Sequence, residues 1–313
     1  MLKRMAKLFQ ETFHQWGEDN ATRLAAALAY YTIFSIGPLL VIVIAVAGLI
    51  GGREAAQTQA MAQVQALLGV QGRQFIQGML ESASHTSTGL TATIIGFITL
   101  SFGALGAFNE LQNSFDTIWG VKPRPIKKFT ERIKRFAVNR LLSFSLVLGI
   151  GFLLLASLVV SAILTAFGEY LSNIWSVPGI WLKALNFLIS FGIIMLLFAM
   201  IFKVLPDVKI AWKDVWLGAG ITSVLFNLGK FLIGFYLGHS NVSSTFGAAG
   251  SLAILLIWIY YSAQILFFGA EFTKVYINQY GSNVKLEADT VRITEKERAK
   301  QEISHPETIE KIR

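Results

Sequence analysis

Cysteine is absent from the 313 residues, which excludes disulfides and thiolate metal sites. Histidine is nearly so: His14, His85, His239 and His305 fall in four separate segments, with no H-x-H-x-D or comparable ligand set. A Gly-rich phosphate loop is also missing, so ATP-driven pumping by this chain alone is not expected. Charge is scarce at 15%, where a soluble chain carries about 25%. No segment is large enough to form a soluble basic domain, so the net charge of +8 does not point to nucleic acid.

What fills the sequence is apolar: 54% hydrophobic residues, 24 Phe, 7 Trp and a mean hydropathy of +0.56. Uncharged or nearly uncharged runs fall at about 24–50, 90–108, 141–167, 184–202, 215–237 and 248–270. Each is long enough to cross a hydrocarbon core of about 30 Å as a helix. The expected fold is therefore all-α, a polytopic bundle of six transmembrane helices with amphipathic interfacial helices. A membrane domain covers 1–280 and a charged tail covers 281–313. The first run is long and lacks a small-residue cleavage site close behind a short core, so no cleaved signal peptide is expected. Two inverted halves of three spans are suggested by the span count alone.

Basic residues fix the expected orientation, because short Lys/Arg-rich loops stay cytoplasmic. Twenty-three lie on the side of the termini and of loops 109–140 and 203–214, against Arg53, Arg73 and Lys183 on the other; Lys230 lies inside the fifth run. Both termini are thus expected in the cytoplasm.

The segments between runs carry their own patterns. Met5, Phe9, Phe13 and Trp16 recur at helical spacing beside Lys3, Arg4 and Lys7, as in a helix lying on the inner membrane surface. From 124 to 140, Ile126, Phe129, Ile133 and Phe136 form one face, while Lys127, Lys128, Arg132, Lys134 and Arg135 supply charge for anionic lipid. This segment is a topological anchor or a lipid-headgroup site. Residues 51–89, rich in Gln and Ala, read as one or two amphipathic helices capping the outer face, a passive cap or a lid. In the tail, Thr294 and Glu297 match a capping box for a short helix without a core.

Polar residues inside the runs are the candidate functional ones, because a polar group in lipid must be paired or reach water. Pro38 removes a backbone donor and frees a carbonyl near Phe34, with Ser35 as a local replacement partner, so Ser35 and Pro38 are the candidate hinge. Gly103 and Ala107 permit close approach of a neighbouring helix, and Asn109, Glu110, Asn113 and Asp116 follow at the cytoplasmic boundary to cap and to pair with the basic loop. Asn227 and Lys230 share a face of the fifth helix, Lys230 roughly 22 Å above Val215. Tyr260, Gln264 and Glu271 form a polar stripe on the inner half of the sixth, with Glu271 closing the span. The candidate polar path is therefore Asn227, Lys230, Tyr260, Gln264 and Glu271, Lys230 from the outer half and Gln264 from the inner; Lys230 snorkelling outward and interhelical glue are the competing readings.

Three stretches, AAALAYYTIFSIGPLL, GAFNELQNSFDTIWGV and STFGAAGSLAILLIWIYYSAQILFFGAEFTKVY, resemble the YihY/BrkB family of bacterial inner-membrane proteins, over roughly residues 15–280. The resemblance implies a six-span protein of the cytoplasmic membrane with both termini inside and no agreed catalytic residues. Members of that family are linked to serum resistance and to envelope lipid or lipopolysaccharide export. Some carry a tRNA-processing ribonuclease label, which the scattered histidines here do not support. Three function classes stay open: a transporter or flippase of a lipid-like, amphipathic envelope substrate; a non-catalytic membrane scaffold or assembly partner; and a membrane-embedded enzyme built on Glu110 or Glu271. The expectation is the first, with no enzymatic activity, no cofactor or metal, membrane lipids of the anionic inner leaflet as partners, and no nucleic acid.

Overall fold

The computed structural model describes residues 2–85, 106–123, 179–239, 250–281, 285–286 and 290–292. In chain order these are α1 (Leu2–Glu18), α2 (Ala21–Gly51), α3 (Arg53–His85), α4 (residues 106–118), β1 (Val121–Pro123), α5 (Gly179–Val204), β2 (Val208–Lys209), α6 (Trp212–His239), α7 (Gly250–Tyr280), β3 (Lys285–Leu286) and β4 (Thr290–Arg292). The described fold is helical apart from two short ribbons.

Among the described residues, three stretches are long and apolar enough to cross a membrane: Phe187–Val204 in α5, Trp212–Ile233 in α6 and Leu252–Tyr280 in α7. The first expected run lies in α2, one helix of 31 residues. The run 141–167 and all but the last three residues of 90–108 lie outside the described residues, as do Gly103, Thr294, Glu297 and the basic face Lys127, Lys128, Arg132, Lys134 and Arg135.

Helices α1 and α2 meet at a sharp corner on Asn20, whose φ of 50° is left-handed, a conformation that asparagine tolerates better than most residues. The turn from α2 to α3 rests on Gly52, at φ 84°, whose N–H donates to the Gly48 carbonyl at 3.0 Å. A side chain at Gly52 would be strained. The segment after α2 forms a single helix, α3, of 33 residues rich in Gln and Ala. It buries Ala56, Met61, Val64, Ile76 and Leu80 against α2 and α7, and leaves Gln57, Gln65, Arg73, Gln77 and Glu81 exposed. Arg73 Nη1 donates to Gln65 Oε1 at 2.6 Å and Gln77 Nε2 to Glu81 Oε1 at 2.9 Å on that exposed face.

Helices α6 and α7 cross through two reciprocal notches. A β-carbon on Gly218 would lie 1.8 Å from Thr273 Oγ1, and one on Gly269 would lie 1.9 Å from Thr222 Oγ1. Each threonine turns its hydroxyl back onto its own helix, Thr222 to the Gly218 carbonyl and Thr273 to the Gly269 carbonyl, both at 2.7 Å. The hydroxyls are thereby satisfied without a partner on the other helix. Lipid tails are as apolar as leucine, so helix association in a bilayer depends on such close packing rather than on hydrophobic transfer.

The main core joins α2, α4, α5, α6 and α7 around Phe115, Phe202 and Phe267. The Phe115 ring lies 6.0 Å from Phe202 and 6.1 Å from Phe267, and the chain of rings continues through Phe198 and Phe226 to Trp258.

Helix α1 packs Leu8, with Met5 and Phe9 partly buried, against Phe272 and Val275 of α7; the Phe9 and Phe13 rings also meet Phe268, at 6.2 and 4.9 Å, while Phe13 remains 61% exposed. A helix docked on another helix rotates to pack its neighbour's ridge, and hydrophobic spacing alone cannot name that neighbour. The tail, expected to lack a core, begins as paired strand: Leu286 lies opposite Val208 and Lys285 opposite Lys209, then Thr290, Val291 and Arg292 pair with Pro123, Lys122 and Val121. Pairing satisfies backbone groups that a charged tail would otherwise leave to water.

Candidate functional site

Glu271 is the best-buried charged side chain described, at 0% exposure, and lies within α7, which continues to Tyr280. The apolar helix runs on to Tyr280 because Phe272, Val275 and Ile277 pack inward beyond Glu271. Its Oε2 accepts from Lys274 Nζ at 3.1 Å, one helical turn on. The same ammonium donates at 2.8 Å to Asp19 Oδ2, from the α1–α2 corner. All three side chains are withdrawn from solvent, at 0%, 13% and 8% exposure for Glu271, Lys274 and Asp19. Trp16 and Tyr276 pack against the main core, of which Phe267 and Ala270 are buried members.

The stripe that contains Glu271 faces protein. Tyr260 packs against both the main core and the smaller one between α2, α3 and α7. Gln264, one turn further along α7, has its Oε1 buried and unpaired among the described residues. Buried polar atoms are normally paired, so each exception requires an explanation. Here five of the others, in Gln15, Trp16, Ser114, Trp119 and Glu271, fall near the same end of the bundle.

The α6–α7 notches set a register. Gly218 meets Thr273, Thr222 meets Gly269, and Gly229 meets Tyr261, so the helices are antiparallel. Counting along that register, Asn227 is level with Gln264 and Lys230 with Tyr261. Lys230 is therefore only about 5 Å from the level of Gln264, at 1.5 Å per residue. Position in separate spans gave each depth from its own end, and only the crossing aligns them. Asn227 Nδ2 donates to the Ser223 carbonyl of its own helix at 2.8 Å, and Lys230 is exposed. The structure thus places Tyr260, Gln264 and Glu271 along one side of α7, the first two half-buried and Glu271 buried, and does not bring Lys230 to them.

Ser35 is fully buried, and its Oγ donates to the Thr32 carbonyl at 3.1 Å, not to the carbonyl freed near Phe34. A helical side chain leans toward the N-terminus and reaches carbonyls three or four residues back, so Phe34 is out of its range. Pro38 lies within α2.

At the same end of the bundle, Gln112 Nε2 donates to Asp207 Oδ1 at 3.2 Å, and the Asp207 N–H to Asp116 Oδ1 at 3.4 Å. Asp116 thus binds the α5–α6 turn instead of only the basic loop after α4. Burial pushes the Glu110 carboxyl above its ordinary range, and the Arg23 guanidinium partly offsets this. The Asp19–Lys274 pair, Gln112–Asp207 and the two ribbons gather the α1–α2 corner, the segment after α4, the α5–α6 turn and the tail at one end. Sequence reasoning missed Asp19 and Lys274; their signal was a charged pair flanking two apolar runs, which resembles ordinary boundary residues. Among the described residues no group of three or more His, Asp or Glu side chains could hold a metal ion.

Long apolar helices that enclose a buried polar stripe define a multi-pass membrane protein of the helical-bundle type. Residues 12–294 match the family described as Virulence factor BrkB, and the chain belongs to that family. It is 29% identical over 262 residues to a UPF0761 membrane protein of Tolumonas auensis, covering 82% of this chain and 80% of that one. A UPF0761 membrane protein of Stenotrophomonas maltophilia is 30% identical over 266 residues, and one of Pseudomonas aeruginosa 26% over 263, each covering 82% of this chain. This chain spans 58% and 59% of the length of those two relatives. No solved structure matches.

Proposed function

We propose that the protein moves a lipid-like, amphipathic envelope substrate across or within the bacterial inner membrane, with its basic end in the cytoplasm. The observation that carries this reading is the stripe of half-buried Tyr260 and Gln264 with buried Glu271 inside a 29-residue apolar stretch, with Gln264 Oε1 buried and unpaired among the described residues. A polar group kept inside a span needs water, a partner or a passing headgroup, and a row of them along one side of a helix supports a route. The orientation is supported by 23 basic residues on one side against 3.

Anionic inner-leaflet lipid is the proposed partner. Lys3, Arg4 and Lys7 are exposed on α1, and the basic face Lys127, Lys128, Arg132, Lys134 and Arg135 supplies a second contact. A scaffold role is the second reading, favoured by the exposed polar face of α3, which offers a broad surface to a partner outside the bilayer.

Reconstitution into liposomes with labelled phospholipid, scored for movement between leaflets with and without a proton gradient, tests the transport reading. The wild type should accelerate movement, and Gln264→Leu should slow it. Wild-type rates equal to protein-free liposomes for phospholipid and for glycolipid alike would favour the scaffold.

A further inference from the structure

We propose that Lys230 and Tyr261 hold the phosphate of a membrane lipid against the side of α6, in the leaflet away from the α5–α6 turn. Lys230 lies within the apolar stretch Trp212–Ile233 and is exposed; Leu228, Phe231 and Leu232 around it are exposed as well, Phe231 to 70%. Ionisable residues in a span usually turn toward the bundle interior, so a lysine among large apolar side chains that face outward meets lipid. It stands about 27 Å beyond Trp212 at 1.5 Å per residue, near the far boundary of a hydrocarbon core about 30 Å thick. From there a lysine stem runs along apolar surface and brings its ammonium to the headgroup level.

The second donor comes from α7. A β-carbon on Gly229 would lie 2.4 Å from the Tyr261 hydroxyl and 2.2 Å from its ring edge. The bare glycine thus seats the phenol against α6, with its hydroxyl within about 8 Å of the Lys230 Cα, one Cα step of about 3.8 Å further along. Neither side chain has a hydrogen-bond or ion-pair partner among the described residues. An ammonium carries three donors and no acceptor, and a phenol carries one donor. Two helices therefore present donors at one level without an acceptor, which is what the oxygens of a phosphate supply, and an ionised acceptor makes such bonds stronger. A free phosphate ion would leave Leu228, Phe231 and Leu232 uncovered, whereas a lipid lays its chains over them. The site is independent of the stripe Tyr260, Gln264 and Glu271 and of any transport along it.

Full-length protein in detergent is titrated with phosphatidylglycerol, or with diacylglycerol of the same chains, and retained lipid is counted by native mass spectrometry. Wild type should retain phosphatidylglycerol in preference to diacylglycerol. Lys230→Met should lower the retained fraction several-fold, and Lys230→Arg should keep it. Lys213→Met, exposed at the other end of α6, controls for net charge. Retention in Lys230→Met equal to wild type, a loss of the same size in Lys213→Met, or equal retention of diacylglycerol overturns the proposal. Displacement of the lipid by a large excess of inorganic phosphate assigns the site to the free ion and overturns the lipid assignment. Tyr261→Phe keeps the ring in the Gly229 notch and decides even where Lys230→Met melts early: reduced retention supports the paired donors, and unchanged retention overturns them.

Discussion

Lys274 neutralises buried carboxyl groups from two directions, so its loss should cost more than the loss of either acid. Removing one partner of a buried ion pair leaves an uncompensated charge, typically about 3–5 kcal/mol. Lys274→Met should therefore lower the melting temperature of the purified protein sharply. Glu271→Gln keeps the shape, removes one negative charge and should cost far less. Equal losses in thermal melts of the two variants would show that charge balance is not what Lys274 provides.

Glu110 gives a test with the sign worked out. A carboxyl whose pKa is higher in the folded than in the unfolded state binds its proton more tightly when folded, so stability falls as pH rises from its ordinary value of 4.5 through the raised one. Glu110→Gln should flatten that part of the stability profile and be at least as stable as wild type at neutral pH. Arg23→Met removes the offsetting charge and should steepen it. Melting curves across mildly acidic to neutral pH check both directions.

Among the elements, the α6–α7 crossing depends on shape rather than composition. Gly218→Ala places a β-carbon where Thr273 now stands, and overpacking of this kind typically costs about 1–3 kcal/mol. Thr273→Ala opens the space, so the double variant Gly218→Ala/Thr273→Ala should be less destabilised than the two single losses added together. Additive losses in a double-mutant cycle would place the contact elsewhere. Helix existence was legible here, since α6 and α7 coincide with apolar runs. The notches were not, because Gly-xxx-Thr is common in spans and only the partner helix shows which glycine is used. In α1 the amphipathic pattern announced a helix, and the docking of Leu8 on Phe272 and Val275 of α7 then decided its buried face.

Over the whole molecule, the α1–α2 corner, β1, the α5–α6 turn and the strands β3 and β4 gather at one end, and α3 projects its polar face from another part. With no native cysteine, single cysteines report sidedness cleanly. Gln57→Cys, exposed on α3, should react with an impermeant thiol reagent on intact spheroplasts, and Asn278→Cys, exposed at the end of α7, should react only after permeabilisation. The reverse pattern would invert the proposed orientation.

Composition and run length by themselves determined that the chain is a helical membrane protein, because no water-soluble packing can accommodate so much apolar surface with so little charge. The motifs likewise identified the family. The stripe Tyr260, Gln264 and Glu271 was also readable, since residues at helical spacing share a side whatever surrounds them. Tertiary structure decided what the stripe meets. Asp19 and Lys274 are 255 residues apart and are joined only when the α1–α2 corner closes on α7. Lys230 moved close to the level of Gln264 once the notches aligned two antiparallel helices, and the tail became strand when the α5–α6 turn and the segment after α4 offered it edges. Periodicity is local to one helix, whereas depth, partner and charge balance belong to pairs of helices that the sequence does not place side by side.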